Sequence, residues 1–235
     1  MIYVNGDSWS AQQGQNNNSQ IWPTLIAQKL EQDLVNESVG CGSNSRILDC
    51  LENFLICGNK PDLVIIALSG HARWHMPAPD LGHWLINSSV AINDRTGETD
   101  KLIRDWNYKK SYNDIDSIFR YYKSIWNIYE LCKRFECKCI FFQAWDRDLI
   151  ADNIIENAES YVSKFYKLSD VHAQTYLTGF KFFQQHKEYW NYVDTTTFHT
   201  LLTPYELDAT LHPNQRGHDI ISRFVYQQLL KHNLS

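Results

Sequence analysis

Two kinds of apolar pattern alternate along this chain: short continuous runs, and stretches in which apolar residues recur every three or four positions. Ile2-Tyr3-Val4 is a β-prone run that ends in Asn5-Gly6-Asp7-Ser8 and a polar loop through Asn18. Trp22, Leu25, Ile26 and Leu30 follow at helical spacing, with Pro23 where a first-turn proline is tolerated. Leu34-Val35-Asn36-Glu37-Ser38-Val39 reads as a second strand closed by Gly40-Cys41-Gly42, and Ile47, Leu48, Leu51, Phe54 and Leu55 mark a helical stripe that Lys60-Pro61 breaks. Leu63-Val64-Ile65-Ile66-Ala67-Leu68 is apolar throughout, the signature of a central parallel strand buried on both faces. Ile115, Ile118, Phe119, Tyr122, Ile125, Trp126 and Tyr129 restore the helical period, and Cys139-Ile140-Phe141-Phe142 gives another buried strand. Residues 150–185 are mostly helical in pattern, and Ile220, Ile221, Phe224, Val225 and Leu229 line one face of a last helix after His212-Pro213-Asn214. Residues 70–113, rich in Trp, Pro, Gly, Asn and Asp, show no sustained period and read as a long irregular insertion.

Alternating strands and helices predict an α/β protein with a parallel sheet covered on both sides, a three-layer α/β/α sandwich. No internal repeat, low-complexity tract or linker divides the chain, so residues 1–235 are expected to form a single domain. At 235 residues, 43% hydrophobic and 21% charged, the composition is that of a globular protein with a full core. The formal net charge is −5 and no basic block appears, which argues against a nucleic-acid surface. No apolar run is long enough to span a bilayer and no signal peptide is evident, so a cytoplasmic protein without membrane insertion is expected. The six cysteines fit reduced thiols. Cys137-Lys138-Cys139 lacks the spacing of a zinc site, and His71 and His75 lack the glutamate of a helical zinc pair, so no metal is expected. Nothing in the sequence specifies an oligomeric state.

Ligands of parallel α/β sheets gather at the carboxyl ends of the strands. Polar clusters stand at three such ends: Gly6-Asp7-Ser8, Gly40-Cys41-Gly42-Ser43-Asn44, and Ser69-Gly70-His71-Ala72-Arg73. A fourth, Asp208-Ala209-Thr210-Leu211-His212-Pro213-Asn214, precedes the last helix. These residue types suit acyl transfer: a serine hydroxyl attacks only when a neighbouring base takes its proton. Ser8 is the candidate nucleophile, His212 the base and Asp208 the residue that orients it. Backbone N–H groups near Gly42 are candidates for binding the oxyanion, each such donor being worth about 3–4 kcal/mol at the transition state. His71 and Arg73, at a strand end, are candidate substrate contacts together with Asp7. Each residue also has a plain structural role open to it, since Gly, Asp and Ser build turns and polar residues cap helices.

Taken together, the clusters resemble the SGNH (GDSL) hydrolase superfamily, in the form carried by phage and bacterial members. The resemblance rests on Gly6-Asp7-Ser8, on Trp22-Pro23, on Asn36 with Gly42-Ser43-Asn44-Ser45-Arg46-Ile47, and on Asp208 and His212-Pro213-Asn214-Gln215-Arg216-Gly217-His218. It spans residues 1 to about 225. It implies a flavodoxin-like parallel five-stranded sheet and a serine esterase or acylesterase that needs no cofactor. Such an enzyme would cleave a small-molecule or carbohydrate ester through an acyl-Ser8 intermediate, with His212 as general base. The Ser8 and Gly42 N–H groups and a side-chain amide would form the oxyanion hole.

Two departures stand out. No Asn follows the Leu63–Leu68 strand where the family carries an oxyanion donor, which leaves Ser69, Asn44 or no third donor. Asp208 lies four residues before His212 where the family has three, so either the Asp208 carboxylate or the carbonyl of Ala209 orients the ring. Both departures keep a second reading open, a catalytically weak or inactive protein of the same fold that recognises a glycan or protein partner. A nucleotide site is suggested only by Gly40-x-Gly42, which lacks the third glycine of a dinucleotide loop because residue 45 is Ser.

Overall fold

The computed structural model describes residues 1–11, 20–40, 42–70, 114–144, 156–164, 166–193 and 196–235, and residues 73–78 and 82–87 as backbone. In chain order the elements are β1 (Ile2–Asn5), α1 (Trp22–Leu30), β2 (Leu34–Asn36), α2 (Asn44–Ile56), β3 (Leu63–Leu68), β4 (Arg73–Ala78) and β5 (Gly82–Asn87). They continue with α3 (Asp114–Arg134), β6 (Lys138–Gln143), α4 (Ala158–Val162), α5 (Val171–His186), β7 (Tyr192–Val193) and α6 (Gln215–Lys231).

Five strands pair in the order β2-β1-β3-β6-β7, all parallel. Counted along the sheet-forming strands alone this is 2-1-3-4-5, the flavodoxin-like winding. Register sets Ile2 beside both Leu34 and Leu63, and Leu63 beside Lys138. The strands are apolar on both faces because both faces are covered. Ile2, Val4, Leu63, Ile65, Ala67, Ile140 and Phe142 pack on one side with Trp22 and Ile26 of α1 and Ile221, Val225 and Leu229 of α6. Tyr3, Val64, Ile66, Leu68, Cys139 and Phe141 pack on the other with Ile47 and Leu51 of α2, Ile118 and Tyr122 of α3 and Phe180 of α5. The alternation follows from the period of two along a strand. Each fully buried side chain of this size contributes roughly 1.5–3 kcal/mol. The three-layer sandwich expected from the pattern is thus the fold observed.

The structure differs from the sequence reading at three places. Residues 73–87 include an antiparallel ribbon, β4 with β5, running from Arg73 opposite Asn87 to Ala78 opposite Gly82. Pro77 and the scattered polar residues hide its period from a reading by alternation. β2 stops at Asn36 rather than Val39 because the Asn36 side chain turns the chain, accepting from Ser38 N at 3.1 Å and donating to the Ser10 carbonyl at 2.9 Å. The fifth strand, β7, is two residues long and has no run to betray it; Phe141 and Phe142 of β6 supply its register. No helix among the described residues is long and apolar enough to cross a membrane.

Candidate active site

β1 lies between β2 and β3, so the loop that follows it leaves the carboxyl edge from inside the sheet. The chain there is held by its own polar groups. Asn5 Oδ1 accepts from Gly6 N at 2.9 Å, Asp7 Oδ1 accepts from Trp9 N at 3.0 Å, and the Asp7 carbonyl accepts from Ser10 N and Ala11 N. Gly6 is required by close approach, since a Cβ there would lie 2.9 Å from both the Cβ and the carbonyl oxygen of Ala67 on β3. Beneath the turn, Asn5 Nδ2 donates to the Tyr3 hydroxyl, which donates to Glu37 at 2.7 Å. Burial first, then the Glu37 carboxylate, pushes the Tyr3 phenol far above its usual range, so it stays a donor. Asp7 and Trp9 have no exposed surface, whereas Ser8 keeps 7%. Ser8 forms no hydrogen bond with any described residue, to His212 or otherwise.

The second loop seats directly on this turn. Val39 N donates to the Gly6 carbonyl, and a Cβ on Gly42 would stand 2.8 Å from that same oxygen. Gly42 N donates to the Val39 carbonyl at 3.1 Å. Ser43 caps α2 by accepting from Arg46 N, which places Asn44 in the first helical turn. Asn44 clamps the end of β3: its Nδ2 donates to the Ser69 carbonyl at 2.7 Å and its Oδ1 accepts from Ser69 N at 2.9 Å. One Nδ2 hydrogen remains beyond these two bonds. Ser69 is fully buried.

His212 sits in a tight loop closed by the Leu207–Pro213 bridge, with Asp208 N donating to the His212 carbonyl at 2.8 Å and Leu211 in the left-handed region at φ 62°. Asp208 Oδ1 accepts from Thr210 N at 2.8 Å, from His212 N at 3.1 Å and from the Thr210 hydroxyl at 2.6 Å. His212 Nδ1 meets the Thr210 hydroxyl at 2.9 Å. The loop is fastened to α6 by Asn214, which caps the helix on Gly217 N and donates to the Tyr205 carbonyl. Glu206 adds to this, buried beside the loop, accepting from Thr203 and pairing with Arg216 Nε at 3.3 Å; the Thr203 hydrogen bonds hold its carboxyl below the usual range. α6 is in turn tied toward the Ser8 side. His218 Nδ1 accepts from Trp22 N, Trp22 Nε1 donates to the Trp9 carbonyl, and Gln215 and Gln20 exchange two hydrogen bonds.

Of the residues singled out from sequence, Ser8, Gly42, Asn44 and Ser69 therefore share one strand edge, and Asp208 and His212 share one loop. Asp7 is sealed inside the Ser8 turn. His71 lies outside the described residues, and Arg73 is described only as the first backbone position of β4. The sequence reading missed Thr210, two residues before His212, and Asn5, whose amide shapes the turn; both stand next to motif residues, which is the signal that was available. Among the described residues no group of three His, Cys, Asp or Glu side chains is placed to hold a metal.

No family model matches the chain, and no curated protein matches it by sequence. Solved structures do match. The psychrotrophic esterase EstA from Pseudoalteromonas sp., determined inhibited by monoethylphosphonate, superposes with a TM-score of 0.52 at 12% identity, covering all of this chain and 98% of that one. A Bacillus subtilis protein superposes with a TM-score of 0.52 at 15% identity, covering all of this chain and 57% of that one. A member of the lipolytic G-D-S-L family from Veillonella parvula has a TM-score of 0.48 at 12% identity, with 98% and 96% covered. At these identities the likeness is one of fold alone, and within that fold this chain carries Gly6-Asp7-Ser8 at the end of β1 of its 2-1-3-4-5 sheet.

Proposed function

We propose that the protein is a serine ester hydrolase acting on a small acyl ester. Ser8 Oγ attacks the ester carbonyl carbon and passes its proton to His212 Nε2. The alcohol leaves with that proton as the C–O bond breaks, and water, deprotonated by the same ring, releases the acid from acyl-Ser8. The observation that carries this reading is the Ser8 turn, where the neighbouring polar groups hold the backbone while the Ser8 hydroxyl and N–H have no described partner. Ser8 keeps 7% of its surface exposed at the strand edge, where a substrate can meet it. The Ser8–His212 hydrogen bond is unmade at rest; such bonds often form only with substrate bound. The shared fold of a phosphonate-inhibited esterase supports the choice of probe. In this reading Asp7 shapes the turn, and oxyanion binding uses Ser8 N–H with the remaining Asn44 Nδ2 hydrogen, Gly42 N–H joining only if it leaves Val39.

A fluorophosphonate is expected to label the wild-type protein and to label neither Ser8→Ala nor, at a comparable rate, His212→Ala. Labelling that persists in Ser8→Ala rules Ser8 out as nucleophile. A second reading, a non-catalytic protein that binds a glycan or protein partner, is favoured by the prior engagement of Gly42 N–H and the Asn44 amide. It requires that no short acyl ester turns over and that the probe leaves the wild type unmodified.

A further inference from the structure

We propose that Thr210 is a positioning residue that couples the Asp208 carboxylate to the His212 ring and fixes the tautomer the base requires. This rests on the Ser8–His212 reading above.

A threonine hydroxyl has one hydrogen to give. Its 2.6 Å contact with Asp208 Oδ1 has the length of a charge-assisted O–H···O⁻ bond, so the hydrogen points at the carboxylate. Toward His212 Nδ1, at 2.9 Å, the hydroxyl oxygen is then an acceptor. Nδ1 must carry the ring proton, and Nε2 is left bare, as a general base needs. When Nε2 takes the Ser8 proton, the imidazolium donates into a hydroxyl polarised by the carboxylate behind it.

The loop geometry brings the carboxylate, the hydroxyl and the ring together. With Leu211 turned into the left-handed region and Asp208 N bonded to the His212 carbonyl, Asp208 Oδ1 lies under the loop, taken up by the N–H groups of Thr210 and His212. The Thr210 hydroxyl touches both that carboxylate and the ring. A purely structural Thr210 would serve the loop through its backbone N–H, which any residue at 210 supplies; only the hydroxyl touches the ring.

The test reads the tautomer directly. Long-range ¹H–¹⁵N spectra of the full chain, with the His212 signal identified by its loss in His212→Ala, should show the proton on Nδ1. In Thr210→Val, folded by circular dichroism, the proton should move to Nε2, while Thr210→Ser keeps it on Nδ1; Thr210→Ala replaces the valine variant if that does not fold. The fluorophosphonate labelling rate should fall about a hundredfold in the valine variant, the low end of what general base catalysis supplies, and recover in the serine variant. A wild-type proton on Nε2, a tautomer indifferent to Thr210→Val, or a labelling rate unchanged by it overturns the proposal. Should the tautomer follow Thr210 while Ser8→Ala is still labelled, the nucleophile assignment fails and the Thr210 coupling stands.

Discussion

An alanine at position 42 would put a methyl carbon 2.8 Å from the Gly6 carbonyl oxygen and 3.2 Å from that of Val39, both backbone atoms. Neither can swing aside as a long side chain would. Gly42→Ala is expected to cost roughly 1–3 kcal/mol, the usual penalty for overpacking, read as a lower urea midpoint at unchanged slope. An unchanged midpoint would show that the second loop does not rest on the Ser8 turn. At this scale the sequence shows where polar residue types stand, and so the positions of Ser8 and Gly42 at the strand edge and of His212 before the last helix were legible. Direction was not. Asp7 reads as a polar group for substrate, yet its carboxylate turns inward to Trp9 N; Thr210 reads as a loop residue, and its role depends on where one hydroxyl hydrogen points.

Between elements, the junction of the His212 loop with α6 depends on Asn214. Its side chain caps the helix and also holds the Tyr205 carbonyl, so the loop and the helix start share one fastening. Asn214→Ala is expected to lower stability by about 1 kcal/mol, as lost caps generally do, and to slow fluorophosphonate labelling because His212 is two residues upstream. Thermal unfolding and labelling rate check this together; a normal labelling rate in a destabilised variant would separate the cap from the site. Elements that bury a regular stripe, such as α2 and α6, or both faces, such as β3, were readable because that burial leaves a mark in the sequence. β7 and the β4–β5 ribbon were not, being defined by pairing with another strand rather than by their own composition.

For the molecule as a whole, acid stability should carry the imprint of His218. Burial between α1 and α6 pushes its ring down to about 4, with Asp219 and Asp208 opposing that shift and His212 adding to it, against 6.5 in the open chain. Above about pH 6.5 the ring is neutral in both states and stability is full. Between about 6.5 and 4 the unfolded chain takes up a proton that the folded one refuses, so stability falls as the pH falls, by on the order of 3 kcal/mol, and levels off below. His218→Asn, which keeps an acceptor for Trp22 N but cannot titrate, should flatten that limb in urea titrations at successive pH values. Parallel limbs for variant and wild type would assign the acid sensitivity to carboxylates instead.

The position of β1 in the sheet also governs when the proposed site can assemble. The strand that delivers Ser8 is early in chain order yet interior in space, paired with β2 through α1 and with β3 through α2. Its partners are therefore distant along the chain, and contacts of that kind are made late and at an entropic cost. The loop bearing His212 joins only when α6 docks on α1. In the reading proposed above, a nascent or partly opened chain would contain Ser8 and His212 without the arrangement that lets one act on the other, and would gain it only when the last helix closes.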